Sequence, residues 1–70
     1  MHNETEQVII TPRDRVLRAW QNSTELVRDF RLYANELSDS EPEVAEVFQR
    51  FAEEECVHAS RFRDILRKYV

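Results

Sequence analysis

The chain has 70 residues, with 10 Lys and Arg against 14 Asp and Glu for a formal net charge of −4, no glycine, two prolines and one cysteine. The lack of glycine excludes glycine-rich phosphate-binding loops, the negative charge disfavours nucleic acid as the main partner, and one cysteine cannot build an internal disulfide or a cysteine-based zinc site. Because no apolar run approaches the roughly 20 residues that span a bilayer, we expect one soluble, cytoplasmic domain without a membrane partner.

Residues 1–10 are predicted to form a flexible arm, polar at first and apolar at its end. Residues 11–70 are predicted to form a helical hairpin whose first helix covers about residues 12–38. Thr11 can cap this helix, Pro12 suits its first position, and Asp14 stands three residues after the cap. Its predicted inward positions step by three and four residues: Val16, Trp20, Ser23, Val27, Phe30, Ala34 and Leu37.

A second helix is predicted over about residues 41–69. Ser40, Glu41, Pro42 and Glu43 repeat the start signal, and residues 37–40 form a connection too short for anything but an antiparallel hairpin. The predicted inward positions again follow a heptad pattern, which is typical of helical bundles. They are Val44, Phe48, Phe51, Glu55, His58, Phe62, Ile65 and Tyr69, and other apolar residues beside these two stripes include Leu26, Tyr33, Val47, Ala52 and Ala59.

A lone hairpin has one shared face, whereas ordering about 55 residues would require on the order of 3,000 Å² of buried apolar surface. We therefore expect an all-α fold in which two antiparallel hairpins associate into a four-helix bundle. The predicted partner is a second copy of the chain, as a homodimer or a higher oligomer.

Two polar residues interrupt the apolar stripe of the second helix. Glu55 and His58 stand three residues apart, which places a carboxylate and an imidazole on one helix face. Burying an ionised carboxylate there requires compensation, and Glu-x-x-His is the half-site that helical bundles use for iron or manganese. A buried Glu–His pair that fixes the register of a bundle is the structural alternative.

The segment Phe48 to Leu66, FQRFAEEECVHASRFRDIL, resembles the half-site of the rubrerythrin and ferritin-like superfamily. The connection and the spacing from Pro42 to His58 also resemble the encapsulated ferritins, two-helix chains that build a di-iron site across a dimer interface. The resemblance implies Glu55 and His58 as ligands of iron or another divalent metal, with Glu55 as the bridging carboxylate. If two irons bind, it implies oxidation of ferrous iron by oxygen or peroxide.

The same resemblance implies one carboxylate from the first helix. Counting back at the spacing of the two-helix ferritins gives Glu25, but helical phase places Glu25 on the face opposite Val16 and Val27. Alignment by core phase gives Ser23 instead, a poor iron ligand that can hydrogen-bond a metal-bound water or a histidine. Either the helix is irregular near residues 22–24 and Glu25 turns inward, or the site consists of Glu55 and His58 from each of two chains. We favour the second arrangement.

The sequence thus predicts a ferritin-like iron-binding protein with an interface site, and a metal-free helical oligomerisation or adaptor module as the alternative. Glu54, at the edge of the stripe, is a weaker metal candidate. Cys56 lies off the stripe and is predicted to be a packing residue.

Overall fold

The computed structural model describes residues 8–69, and within that range it contains two helices and no strand. Helix α1 spans Pro12–Leu37 and helix α2 spans Pro42–Leu66. The two helices pack side by side as a hairpin, which confirms the predicted fold of the single chain. Neither helix is long and apolar enough to cross a membrane. Residues 1–7 of the predicted arm lie outside the described residues.

The start of α1 is fixed by a reciprocal pair of hydrogen bonds. The backbone N–H of Asp14 donates to Thr11 Oγ1 at 3.1 Å, and the backbone N–H of Thr11 donates to Asp14 Oδ2 at 3.0 Å. Pro12 follows the cap, where its missing N–H costs no helical hydrogen bond. The bonds from the Thr11 backbone and side chain, chiefly the former, hold the pKa of the Asp14 carboxyl below its ordinary value.

Replacing Asp14 with alanine is expected to lower the melting temperature at neutral pH. Because the pKa of Asp14 is lower in the folded than in the unfolded chain, its contribution is present above the unfolded pKa of about 3.9 and is lost as the pH falls through the folded pKa. Thermal melts of the parent and Asp14→Ala should therefore converge in acid. Asp39→Ala, which changes an exposed carboxylate in the connection, is the control, and an equal loss in that variant would contradict a specific cap.

The connection between the helices differs from the prediction at one residue. The N-cap of α2 is Glu41, not Ser40, and no side chain accepts a hydrogen bond there. Backbone bonds close the turn instead, since the N–H of Glu41 donates to the carbonyl of Leu37 at 2.8 Å. Pro42 still occupies the first helical turn as predicted.

Helix α2 ends three residues before the predicted limit of about residue 69. At its C-terminal end the last backbone hydrogen bonds join residues three apart instead of four. The N–H of Lys68 donates to the Ile65 carbonyl, and the N–H of Tyr69 donates to the Leu66 carbonyl. Such bonds tighten a last helical turn and close it off. The backbone therefore leaves the α-helical pattern at the last residues of the predicted apolar stripe.

The hairpin contact is made by small side chains. The buried residues are Ser23, Val27 and Ala34 of α1 with Ala45 and Ala52 of α2, and Ala52 is fully buried. All three buried α1 positions belong to the predicted stripe. In α2 the contact within the hairpin lies a fraction of a turn away from the predicted stripe, and Val44, Phe51 and His58 of that stripe are exposed in the single chain. Small residues let two backbones approach closely, so they form the contact while the larger apolar side chains lie beside it.

Those larger side chains, some exposed and some half-buried, form one surface, which we call the aromatic face. Phe30 lies with its ring centroid 5.8 Å from that of Phe48 and 6.4 Å from that of Phe51, and Tyr33 lies 5.4 Å from Phe48. Helical phase places the rest of the set on the same side of the hairpin. The aromatic face consists of Leu26, Phe30, Tyr33 and Leu37 of α1 and Val44, Val47, Phe48, Phe51, Glu55, His58, Phe62 and Ile65 of α2.

Candidate metal centre

The two predicted ligands lie on the aromatic face, near the middle of α2. Glu55 and His58 are separated by three residues of regular helix, so their side chains project from neighbouring positions. Phe51 stands one turn before Glu55, and Phe62 one turn after His58. An apolar surface thus surrounds a carboxylate and an imidazole, and it limits the access of water to them once it is covered.

The two side chains already contact each other. His58 Nδ1 lies 3.4 Å from Glu55 Oε1, which is long for a hydrogen bond. The Glu55 side chain is only 18% exposed, whereas that of His58 is 62% exposed. Because Nδ1 faces the carboxylate, Nε2 is the imidazole nitrogen that remains available to a ligand from outside the chain.

The donor set suits iron but is incomplete in one chain. Carboxylate oxygen and imidazole nitrogen are both ligands of divalent iron, manganese and zinc. Among residues 8–69, no three His, Cys, Asp or Glu side chains lie close enough together to hold a metal ion. One hairpin therefore supplies two ligands, and a metal that needs at least four must obtain the others elsewhere.

The α1 candidates occupy two different environments. Ser23 is 5% exposed, within the contact between the helices. Glu25 is exposed on the outer surface of α1, as its helical phase predicts, and α1 runs without interruption through residues 22–25. The irregular helix that would turn Glu25 inward is therefore absent from this chain by itself.

The neighbouring acidic residues of α2, Glu53 and Glu54, lie in two different positions relative to the motif. Glu53 accepts a long hydrogen bond, 3.5 Å, from the side-chain amide of Gln49 one turn earlier. Glu54 is exposed, and its position one turn before His58 and two turns after Val47 places it at the edge of the aromatic face, as predicted. Glu53 thus lies on the solvated side of α2, whereas Glu54 borders the motif.

Cys56 lies on the opposite side of the hairpin from the aromatic face. It is exposed rather than packed, contrary to the prediction. The thiol lines an open groove of about 380 Å³ between the helices, together with Thr24, Val27, Arg28, Arg31 and Ala59. Cys56 therefore cannot join the Glu55 and His58 ligand pair within one chain.

Leu26 and Tyr33 line the face that carries the motif, although the sequence pattern placed them beside the stripe. Both are exposed, and with Phe30 and Leu37 they repeat at intervals of three and four residues. That spacing is itself a helical stripe, and it could have identified a second apolar surface on α1.

Comparison with models of known protein families gives a match over most of the chain. A family model described as Rubrerythrin matches residues 19–70, a span that includes most of α1, the whole of α2 and both candidate ligands. No curated protein and no solved structure gives a significant match to the chain.

Proposed function

This chain belongs to the rubrerythrin family, and we propose that it binds iron between two copies of itself, through Glu55 and His58 of each copy. The observation that carries the proposal is the position of the motif on the aromatic face. The imidazole there is open to a partner, and the carboxylate, although its side chain is only 18% exposed, lies against the imidazole on the same face.

The aromatic face supports association with a second hairpin. Phe51 is 46% exposed and Val44 is 43% exposed, and Leu26, Tyr33 and Val47 are also exposed. Contiguous apolar patches of this kind mark interaction surfaces in soluble proteins. Covering this face with its own copy gives four helices around a shared core, the arrangement in which bundles build carboxylate and histidine metal sites.

Two-fold symmetry completes the ligand set. In a symmetric dimer each chain contributes the same residues to the interface, so a two-fold axis near the motif brings together two carboxylates and two imidazoles. Four such ligands are enough to hold one metal ion. We therefore expect one iron for each dimer. Phe51 and Phe62 would exclude water around it, and when bound the metal would neutralise the two Glu55 carboxylates.

Native mass spectrometry of the chain purified with added iron and without chelators tests this function. The expected result is an even-numbered oligomer with one iron for each pair of chains. The matched sample is the same protein after dialysis against a chelator, which should lose the iron and regain it on titration.

The other outcomes are informative in different ways. Two irons for each dimer would require a further carboxylate, from Glu25 or Glu54, and would contradict the four-ligand site. An oligomer that takes up no iron on titration would contradict the function and favour a metal-free oligomerisation module with a polar layer in its core.

A further inference from the structure

The side of the hairpin opposite the aromatic face carries two adjoining grooves, which together we call the arginine groove. The first is the groove of about 380 Å³ that includes Arg28, Arg31 and Cys56. The second, of about 370 Å³, shares Arg31 and Cys56 with the first and adds Arg61 and Glu53. Three arginines against one glutamate give this surface an excess of positive charge, although the whole chain has a formal charge of −4. Such a local excess attracts anions.

Helical spacing brings the two arginines of α1 together. Arg28 and Arg31 stand three residues apart in regular helix, so their side chains project from neighbouring positions. Cys56 and Ala59 repeat that spacing on α2 and line the same groove. Val27 is buried and Ala59 is half-buried, so these two residues form an apolar floor. Two guanidinium groups thus stand beside apolar surface.

The arginines of the groove are not held by ion pairs of the hairpin. Within residues 8–69 the ion pairs are those of Glu55 and Asp64, and neither pair includes an arginine of the groove. Glu53, the one acid of the groove, accepts a hydrogen bond from the side-chain amide of Gln49 instead. Because each guanidinium has five N–H donors in a planar fork, these arginines keep donors for a ligand from outside the chain.

Two neighbouring arginines match the chemistry of a phosphate group. A guanidinium fork donates two parallel N–H···O bonds to one phosphate, and such charge-assisted bonds are stronger than bonds between neutral groups. A carboxylate offers two oxygens in one plane, which one fork occupies, whereas the three terminal oxygens of a phosphate monoester can accept from two forks. The Thr24 hydroxyl in the same groove already donates to the Trp20 carbonyl at 2.8 Å. The arginines are therefore the strong donors of the groove.

The size and floor of the groove indicate a ligand larger than a bare anion. Its volume of about 380 Å³ falls within the roughly 300–1,000 Å³ of small-molecule sites, and one phosphate group fills only part of it. A small apolar group attached to the phosphate would cover the floor formed by Val27 and Ala59 and remove apolar surface from water.

From this arrangement we propose that the arginine groove binds a small phosphate monoester, with the phosphate on Arg28 and Arg31 and the organic part on Val27 and Ala59. The inference goes beyond the proposed iron binding and does not rest on it. Because the groove lies opposite the aromatic face, it stays open when two copies associate through that face. Failure of one proposal therefore leaves the other intact.

Titration of the full chain with phenyl phosphate, followed by NMR, tests the proposal. The protein is first dialysed against a chelator, so that no metal binds the phosphate. We expect a Kd of about 1 mM or lower at low ionic strength, with benzoate at least about 10-fold weaker because it lacks the phosphate. Inorganic phosphate should be at least about 3-fold weaker because it lacks the apolar group. Equal affinities for inorganic and phenyl phosphate would overturn the monoester and identify free phosphate as the ligand.

Matched pairs of arginine substitutions locate the binding. Arg28→Gln combined with Arg31→Gln should raise the Kd for phenyl phosphate about 10-fold or more. Arg15→Gln combined with Arg18→Gln removes the same charge about 140° or more around α1 from Arg31 and should leave the Kd within about 2-fold. All four arginines are exposed, so neither pair should unfold the chain, which circular dichroism checks. Equal losses in the two double variants would mean general charge attraction and would overturn the site.

Cys56 gives a second readout from within the groove. It is the one cysteine of the chain and lines both parts of the groove, so alkylation by uncharged iodoacetamide reports access to this surface. Phenyl phosphate at about ten times its Kd should slow alkylation of the parent about 5-fold or more, because it occupies most of the groove. At the same concentration the variant with both Arg28→Gln and Arg31→Gln should show much less protection. Binding to the parent without protection of Cys56 would place the ligand elsewhere and overturn the proposal.

Discussion

Replacing Glu55 or His58 with alanine is expected to abolish iron binding by the dimer. Two-fold symmetry makes each substitution remove two of the four proposed ligands at once. The loss of affinity should therefore exceed the 10- to 100-fold that is typical for residues that only support a ligand. Iron for each dimer, measured by native mass spectrometry and by titration, should fall to the background of the chelated parent.

The two substitutions should differ from ordinary core mutations in their effect on stability. Covering the aromatic face buries the Glu55 carboxylate, and without metal that burial costs free energy. Metal-free Glu55→Ala should therefore melt at the same temperature as the metal-free parent or higher. Loss of folding in Glu55→Ala, with unchanged iron content in the fraction that stays folded, would contradict the proposed role of this residue.

Three further variants separate the ligands from their surroundings. Glu54→Ala changes an exposed carboxylate next to Glu55 and should leave iron content unchanged. Glu25→Ala should do the same, and a loss of iron in that variant would show that α1 also supplies a ligand. Ser23→Ala should weaken binding without abolishing it if its hydroxyl supports a ligand, as its buried position next to α2 allows.

Replacing Ala52 with leucine is expected to destabilise the hairpin strongly. Ala52 is fully buried in the contact between the two helices, so added carbon atoms must push the helices apart or force strained rotamers. The expected cost is about 2 kcal/mol or more, which corresponds to a fall in melting temperature of roughly 8–16 °C for a domain of this size. Thermal melts at one fixed protein concentration measure the difference.

Val57→Leu is the matched control for Ala52→Leu. Val57 belongs to the same helix and is well exposed, and leucine is the better helix former, so this change should leave the melting temperature unchanged or slightly higher. A melting temperature of Ala52→Leu equal to that of the parent would mean that the helices are not in close contact at residue 52.

The helix boundaries and the Glu55–His58 motif could be predicted closely because they depend on local chemistry. Thr11 and Asp14 form the predicted reciprocal cap, and Glu55 and His58 come within 3.4 Å of each other through helical spacing alone. Ser40 failed as a cap because proline at the first helical turn does not by itself identify the residue that begins the helix. The neighbouring Glu41 takes that place.

The apolar face of α2 could be predicted from the sequence, but not which part of the protein lies against it. A heptad stripe measures how apolar one side of a helix is, and the stripe through Val44, Phe51 and His58 does exist. It does not report which neighbour lies against that side. The hairpin contact is formed instead by Ala45 and Ala52, residues that contribute little to hydrophobic periodicity because their side chains are small.

The sequence by itself determined the all-helical class, the antiparallel hairpin, the Glu55–His58 pair and membership of the rubrerythrin family. Each follows from residue types at fixed short spacings. Only the tertiary structure decided that small residues join the two helices while the motif lies on an exposed aromatic face, and that Glu25 lies outside and Ser23 inside the hairpin. The reason is physical: close approach of two helices depends on the shapes of both contact surfaces together, and no single stripe of one helix contains that information.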